Sequence, residues 1–171
     1  MKNGRLIFLS FVFLQMACTE KKDTLSEKEK EQIKNEVIDS YKKHIEDLKR
    51  LDYNSLMSYF VNDGNEALFV DGKYWGGYKK IDAIWKDFCE KVDTIIYWNL
   101  SNHHVYPLSK DAASYLVEFD NLRIEKDGDT IMGPGSFSLG MQKINGSWKI
   151  ATADATHNYT MAPWLSNASG K

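Results

Sequence analysis

The chain has 171 residues, of which 43% are hydrophobic, 13% aromatic and 27% charged, and its net charge at pH 7 is −2. This length suits one domain with a substantial core, and the composition excludes a disordered or fibrous chain. The weak net charge and the lack of a basic stripe with interleaved aromatic residues give no reason to expect nucleic-acid binding.

The first 17 residues have the pattern of an export signal. Two basic residues precede a nine-residue apolar run, residues 6–14, and Ala17 stands directly before Cys18. The run is too short to span a bilayer. A small residue before a cysteine resembles the lipobox of bacterial lipoproteins, although Gln15 stands where Leu is usual. The resemblance implies cleavage before Cys18, acylation of Cys18 and a place in the bacterial envelope, at the periplasmic face or the cell surface; ordinary secretion is the alternative.

Cleavage at this point divides the chain into a short tether, one domain and a tail. The 17 removed residues contain two basic and no acidic side chains, which leaves 20 basic against 24 acidic ones, a net charge of about −4. Residues 18–25 are a polar tether, residues 26–157 the domain and residues 158–171 the tail, in which we expect Trp164 to fold back over the sheet or the pocket mouth. With Cys18 acylated, Cys89 has no partner for a disulfide, so we expect it on a buried helix face.

Three helices are predicted in the first half of the domain. Ser26 and Glu29 have the spacing of a capping box, and an apolar repeat at helical spacing follows them: Ile33, Val37, Tyr41, Ile45 and Leu48. A short second helix is expected over residues 52–60, with Asp52 as its cap. The third helix follows Gly76 and Gly77 and has one apolar stripe formed by Ile81, Ile84, Trp85, Phe88 and Val92.

The other predicted elements are strands. Residues 67–70 form a short strand, ended by Asp71 and Gly72. From residue 94 onward the apolar period changes to two, which predicts four strands separated by turn residues, at 94–108, 111–124, 130–144 and 147–157. Within the third of these, Gly133, Pro134 and Gly135 indicate a bend that lets the sheet curl. Helices followed by hairpin-linked strands indicate an α+β fold with helices on one face of an antiparallel sheet.

This order of elements resembles the cone-shaped fold of nuclear transport factor 2 (NTF2), and three stretches narrow the match to its SnoaL-like branch. They are YFVNDGNEALFVDGKYWGGYKKIDAIWKDF (59–88), DAASYLVEF (111–119) and NGSWKIATADATH (145–157). The resemblance implies an NTF2-like cone, with three N-terminal helices packed on a curved antiparallel sheet and a pocket at the wide mouth. Similar proteins include isomerases, dehydratases, cyclases, binding modules and oligomerisation domains, so the fold alone does not decide the function.

Strand alternation predicts which side chains face the pocket and which face outward. In the first long strand the even positions are apolar, which places His104 inside and His103 outside; in the last strand Asp154 shares a face with Trp148 and Ile150 and is therefore expected inside. Neighbouring strand residues point to opposite sides, so the two adjacent histidines are not expected to bind one metal ion, and no metal or other cofactor is predicted. The expected lining of the pocket is aromatic and apolar: Trp85, Trp98, Tyr115, Phe119, Phe137 and Met141.

Three functions are compatible with these patterns. The first is a membrane-anchored domain whose aromatic-lined pocket binds a small, largely apolar molecule. The second is a proton-transfer enzyme of isomerase or dehydratase type, in which Asp154 abstracts a proton and His104 or Tyr41 stabilises the enolate; it requires Asp154 and His104 to lie across one cavity. The third is a dimerising assembly domain. The outer face, which includes Glu118 and Asp120, is polar, and a modest homodimer is compatible with it.

Overall fold

The computed structural model describes residues 24–157, and the backbone of residues 160–161. The predicted signal peptide, the anchor at Cys18 and the tail residue Trp164 lie outside the described residues. The described chain contains three helices and eight strands, in the order α1 Glu27–Lys49, α2 Tyr53–Met57, β1 Ala67–Val70, β2 Lys73–Gly76, α3 Tyr78–Lys91, β3 Val92–Ser109, β4 Ala112–Glu125, β5 Thr130–Met132, β6 Gly135–Ile144, β7 Ser147–His157 and β8 Thr160–Met161. Within these residues, no helix has the length and apolar content needed to cross a membrane.

Helix α1 begins with the predicted capping box. The Ser26 hydroxyl accepts a hydrogen bond from the Glu29 backbone N–H, and the Glu29 carboxylate accepts one from the Ser26 N–H. These two bonds satisfy backbone donors that the first turn of a helix leaves free. The buried face of α1 carries the predicted apolar repeat and one residue that was not predicted, His44. Asp52 caps α2 as predicted, through its contact with the Ser55 backbone N–H.

The sheet is curved and mixed, and the helices pack on its inner face. Its strands lie in the order β2-β1-β7-β6-β4-β5-β8, and β3 pairs with β4. The α+β class and the helices packed on a curved sheet are confirmed. The expectation of an antiparallel sheet is wrong for one pair, because β1 runs parallel to β7. The strand predicted at 130–144 is interrupted at Gly133 and Pro134, where β5 ends and β6 begins.

The core lies between α1 and the inner face of the sheet. Its most deeply buried members come from α1, α2 and β4 and include Val37, Leu48, Leu56 and Tyr115, each 0% exposed. Helix α1 is also attached to the β6–β7 hairpin by a polar contact, since Glu36 accepts hydrogen bonds from Lys143 Nζ (2.7 Å) and from Trp148 Nε1 (3.0 Å). Cys89 on α3 is half-buried against the core, as expected for a cysteine without a disulfide partner.

Candidate functional site: the inner face of the cone

A β-bulge in β3 decides which way the adjacent histidines point. Ser101 pairs with Glu118 and His104 with Leu116, so three steps along β3 match two along β4. Asn102 occupies the bulge with a left-handed φ of 51°, and its Nδ2 donates a hydrogen bond to Glu118 Oε2 (2.6 Å). The extra residue exchanges the two faces of the strand beyond it. His103 therefore points inward and His104 is exposed on the outer face, so the predicted orientation of both is wrong.

The same exchange turns other even-numbered side chains of β3, which were expected inside, to the outer face. Tyr106 and Leu108, which were assigned to the inner face, are 69% and 62% exposed. A second register shift between Ile95 and Tyr97 leaves Ile96 53% exposed. Trp98 lies between the two irregularities and is buried as predicted.

A second bulge reverses the faces of β7. Ile150 pairs with Met141 and Thr152 with Gly140, so Ala151 is an extra residue relative to β6. Beyond it, Ala153 and Ala155 are buried, and Asp154 is exposed on the outer face. The prediction that Asp154 lies inside with Trp148 and Ile150 is wrong, because it assumed unbroken alternation.

Of the three residues predicted to form a catalytic site, His104 and Asp154 line one open groove on the outer face, and Tyr41 lies elsewhere. His104 and Asp154 lie in one transverse row on the outer face, in the order His104 (β3), Leu116 (β4), Ser138 (β6) and Asp154 (β7). Three strand spacings of about 4.8 Å place their Cα atoms roughly 14 Å apart. Tyr41 is 3% exposed on α1, on the other side of the sheet. The proposed pairing of His104 with Asp154 across an inner cavity is therefore contradicted by the geometry.

The inner face instead brings His103 against Tyr115. His103 Nδ1 lies 2.7 Å from the Tyr115 hydroxyl oxygen, and the two rings are parallel within 2°. Burial lowers the pKa of His103 and raises that of Tyr115. Both groups are therefore neutral at pH 7, and either one can be the donor in the hydrogen bond between them, depending on the tautomer of the imidazole. Tyr41 packs edge-on against Tyr115, with ring centroids 5.3 Å apart.

The predicted ligand-binding side chains all face the interior. Trp98 stacks on Phe119 (centroids 5.5 Å apart), and Phe119 stacks on Phe137 (4.5 Å apart). Trp85 continues the aromatic surface on the helix side, and Tyr115 and Met141 are buried within the core. Their inward orientation is as predicted, and their role in ligand binding stays a prediction.

Two buried ring nitrogens on the inner face lack hydrogen-bond partners within the described part of the chain: Trp98 Nε1 and His44 Nδ1. His44 is ringed by Tyr41, Tyr59, Phe60 and Trp85, with centroids 5.1–6.1 Å from its own. Burial lowers its pKa to about 3. The sequence did carry a signal for His44, since this residue lies three positions after Tyr41 on the apolar stripe of α1. That signal was missed.

A polar cluster also borders the inner face at the end of β7. The His157 backbone N–H donates to Asp71 Oδ1 (2.7 Å), and the His157 ring packs edge-on against Phe119. Desolvation lowers the pKa of His157, and the neighbouring Asp71 opposes that shift. Arg123 lies over the Phe88 ring, 5.4 Å from its centroid, and pairs with Glu125 at 3.5 Å. Among the described residues, no three His, Cys, Asp or Glu side chains converge into a metal-binding group.

Comparison with solved structures identifies the architecture. A putative scytalone dehydratase from Novosphingobium aromaticivorans superposes with a TM-score of 0.66 at 12% identity, over 75% of this chain and 86% of that one. A hexachlorocyclohexane dehydrochlorinase from Novosphingobium barchaimii gives 0.65 at 13% identity, over 81% and 95%. An NTF2-like superfamily protein from Salmonella enterica gives 0.65 at 14% identity, over 78% and 96%. The chain has the NTF2-like fold.

The chain shares little sequence with the solved structures just described. No family model and no curated protein sequence matches it. At 12–14% identity the structural likeness establishes the fold alone, so the chemistry of the inner face has to be argued from this chain's own side chains.

Proposed function

We propose that the inner face of the cone binds a small, largely apolar molecule that carries a ring and a hydrogen-bond acceptor. The observation that carries this proposal is the indole N–H of Trp98, which is buried without a hydrogen-bond partner in the described residues. A buried donor left unpaired costs about 1–3 kcal/mol, so an acceptor on a ligand that reaches it gains that amount.

The surroundings of Trp98 favour a ligand with a flat apolar body. Phe119 stacks on the indole ring, Phe137 stacks on Phe119, and Phe88 lies 6.4 Å from the indole centroid. Aromatic walls of this kind bury large apolar surface and favour offset or edge contacts with a second ring. One donor within such walls selects for a ligand with one well-placed acceptor.

The experiment compares two probes of nearly equal shape on the purified chain from Thr19 to Lys171. Acetophenone carries a carbonyl acceptor and ethylbenzene does not, and binding of each is measured by tryptophan fluorescence and calorimetry. We expect acetophenone to bind at least fivefold more tightly, and Trp98→Phe to abolish that difference while retaining ethylbenzene binding. Trp75→Phe, at a ring that is 43% exposed on β2, is the matched control. Equal affinity of the two probes in the unsubstituted chain would refute the proposal. Native mass spectrometry of the same sample reports any molecule that co-purifies.

A second candidate function is proton transfer at the same face, and the His103–Tyr115 contact favours it. A neutral imidazole whose Nδ1–H donates to the Tyr115 hydroxyl has an unprotonated Nε2, which can act as a general base. Two proteins of the same fold are named as a dehydratase and a dehydrochlorinase. His103 would remove a proton from the carbon next to a carbonyl, and the resulting imidazolium would deliver that proton to another carbon of the conjugated enolate, as in an isomerase; its return to the first carbon appears as hydrogen exchange.

Exchange of the methyl protons of acetophenone in deuterated water tests this second function. NMR follows the replacement of protons by deuterons, which needs no knowledge of the natural substrate. Catalysis by the chain predicts exchange faster than in buffer, lost in His103→Gln and retained in His104→Gln. Exchange at the buffer rate would exclude this activity toward the probe and leave the binding function as proposed.

We also propose that the protein is an envelope lipoprotein and a homodimer. Support for the homodimer is the exposure of Tyr106, Leu108 and Leu116 on the outer face of the sheet. Sedimentation of the Thr19–Lys171 chain tests it, and a chain that is monomeric at 100 µM would overturn it.

Support for the lipoprotein is the small residue before Cys18 after a nine-residue apolar run. Acyl chains on Cys18 together provide stable anchoring, which a single chain does not. Cys18→Ser expressed in a bacterium is expected to move the protein from the detergent-soluble membrane fraction to the aqueous fraction. Recovery of the unsubstituted protein in the aqueous fraction would contradict the anchor.

A further inference from the structure

The β1–β2 hairpin exposes large aromatic rings at one edge of the sheet. Tyr74 is 62% exposed, Trp75 43% and Phe69 41%, and all three lie outside the hydrophobic core. Strand β2 pairs with β1 on one side and has no strand on its other side within the described residues. Neighbouring exposed rings of this size mark a surface that contacts something other than water.

The rings lie on both sides of this edge strand. Tyr74 is opposite Phe69, whose side chain is on the outer face, and their ring centroids are 5.3 Å apart. Neighbouring residues of a strand point to opposite sides, so Trp75 lies on the helix side. There the Lys80 Nζ atom is 5.8 Å from the centroid of the Trp75 ring. The edge therefore presents a tyrosine on one side and a tryptophan on the other.

The same segment is basic, although the whole chain has a net charge of −2. Residues 73–80 read KYWGGYKK and contain three lysines and no acidic residue. These edge lysines are Lys73, Lys79 and Lys80. All three are exposed, and none forms an ion pair with another residue that the structure describes.

The acidic residues that flank this segment are hydrogen-bonded within the fold. Asp71 accepts a hydrogen bond from the His157 backbone N–H at 2.7 Å. Asp82 accepts one from the Tyr53 hydroxyl. The edge lysines are therefore the charged groups that this part of the surface offers to a partner.

Gly76 keeps two of the edge lysines close to β2. Its φ is 133°, and a Cβ atom there would lie 3.1 Å from the Lys80 Cβ atom. The absence of a side chain lets the first turn of α3, which carries Lys79 and Lys80, pack against the end of β2. The positive charges and the exposed rings consequently form one surface.

We propose that this edge of the sheet contacts the surface of an anionic phospholipid bilayer. Tyr74 and Trp75 lie at the level of the headgroups, and the edge lysines lie beside the lipid phosphates. The inference rests on the proposed lipoprotein, which brings the domain to a membrane. Tryptophan and tyrosine favour the membrane interface because each ring combines an apolar body with a polar group. Each lysine close to an anionic surface strengthens binding about fivefold.

The form of the edge favours a bilayer over the strand of another protein. Strand β2 has only four residues, one of them Lys73, and its pairing with β1 shifts register between Leu68 and Phe69. Short, charged and irregular edges disfavour the addition of a further strand. A lipid surface needs no backbone pairing, and it uses the rings and charges that the edge exposes.

The start of α1 is compatible with this orientation. Glu29, in the first turn of α1, lines one groove together with Gly146 of the β6–β7 turn. Strand β7 is the second strand from β2, and two strand spacings are about 10 Å. The eight residues 18–25 span at most about 29 Å. Acyl chains on Cys18 can therefore enter a bilayer that touches β2.

The first test is the binding of the Thr19–Lys171 chain, which lacks the anchor, to lipid vesicles. Flotation compares vesicles of equal parts phosphatidylglycerol and phosphatidylcholine with vesicles of phosphatidylcholine alone, at 50 mM salt. We expect partitioning to be at least tenfold stronger on the anionic vesicles and to fall at 500 mM salt, because salt screens the lysines. Equal partitioning onto the two kinds of vesicle would overturn the inference.

The second test separates the edge from the net charge of the chain. Glutamine replaces the three edge lysines in one variant and three exposed lysines of α1 (Lys28, Lys42 and Lys43) in the control, so both variants lose the same charge. The edge variant is expected to bind anionic vesicles at least tenfold more weakly, and the control less than threefold. Equal weakening of the two would show that only net charge acts, which would overturn the inference. Circular dichroism shows whether each variant is folded.

The third test concerns the rings. Brominated phosphatidylglycerol quenches a tryptophan that touches lipid, and Trp75→Phe is expected to remove most of the quenching seen in the unsubstituted chain. Tyr74→Ser is expected to weaken vesicle binding at least threefold. Tyr106→Ser, at a ring that is 69% exposed on β3, is the matched control and should leave binding unchanged. Quenching that persists in Trp75→Phe would show that another part of the chain meets the bilayer.

The outcomes separate the membrane contact from the lipid anchor. The edge alone binds reversibly, so Cys18→Ser is still expected in the aqueous fraction. A chain that lacks the anchor and does not prefer anionic vesicles would overturn the contact and leave the lipoprotein standing. Unsubstituted protein in the aqueous fraction would contradict the anchor, and the vesicle measurements would still decide the contact.

Discussion

His103 and Tyr115 form a hydrogen-bonded pair on the inner face, and the neighbouring His104 lies on the opposite side of the sheet. One extra residue in β3, Asn102, produces this arrangement. A regular strand would have placed His104 beside the core and His103 in solvent. The local backbone at Asn102 therefore decides which imidazole lies on the inner face.

Substitutions at Asn102 are expected to test the bulge directly. Its left-handed φ of 51° is open to Asn and Gly and unfavourable for a β-branched residue by about 1–2 kcal/mol. Asn102→Val should therefore lower the free energy of unfolding in urea by at least that amount, since it also loses the bond to Glu118. Asn102→Gly keeps the backbone permissive and should cost less than Asn102→Val. Equal stability of the two variants would argue against a left-handed bulge at this position.

The sequence predicted the elements well and the faces of two strands poorly, for a physical reason. The capping box at Ser26 and the apolar period of α1 are local signals, and they were sufficient for the helix. A bulge needs only one extra residue, and it reverses every later side chain in its strand. Asn102 carried a weak signal, since Asn is depleted in strands and tolerates positive φ, whereas Ala151 carried none. The parallel pairing of β1 with β7 depends on contacts distant in sequence.

The buried His44 is expected to make stability depend on pH. Burial lowers its pKa from 6.5 to about 3, so the unfolded chain takes up a proton at a higher pH than the folded chain does. Above pH 6.5 His44 is neutral in both states, and its titration does not affect the free energy of unfolding. As the pH falls from 6.5 toward 3, the free energy of unfolding decreases by up to about 1.4 kcal/mol per pH unit. His44→Phe should flatten this slope between pH 6.5 and 4.5, leaving the smaller contributions of His103 and His157.

Urea unfolding at half-unit steps of pH measures this slope. Above pH 7 the difference between His44→Phe and the unsubstituted chain should be constant, and that plateau serves as the internal control. Parallel curves for the two proteins down to pH 4.5 would show that His44 is protonated in the folded state.

Glu36 is expected to stabilise the docking of α1 on the β6–β7 hairpin. Its carboxylate accepts hydrogen bonds from Lys143 and Trp148, and its side chain is 31% exposed. Glu36→Gln should lower the free energy of unfolding at pH 7. The expected effect is near the lower end of about 1–3 kcal/mol, because solvent screens the partly exposed carboxylate. The Lys143 contact lowers the pKa of Glu36 from 4.5 to about 2, so this contribution is present above pH 4.5 and lost as the pH falls toward 2. Glu31→Gln, which removes an exposed pair with Lys34, is the matched control and should have little effect at either pH.

Gly135 is expected to allow the close approach of its neighbours on β4 and β7, which a larger residue would obstruct. It follows the interruption between β5 and β6 and lies in register with Phe119 on β4 and His157 on β7. A Cβ atom here would collide with the Thr156 carbonyl oxygen and with the Phe119 ring, so Gly135→Ala must displace backbone or the Phe119 stack. Overpacking of this kind costs about 1–3 kcal/mol. Ser136→Ala, at the next and exposed position, should change the stability by less than about 0.5 kcal/mol.

The two variants are compared by urea unfolding and by acetophenone binding, because displacement of Phe119 should also weaken the stack on Trp98. A Gly135→Ala variant with unchanged stability and unchanged binding would show that the strands do not approach this closely.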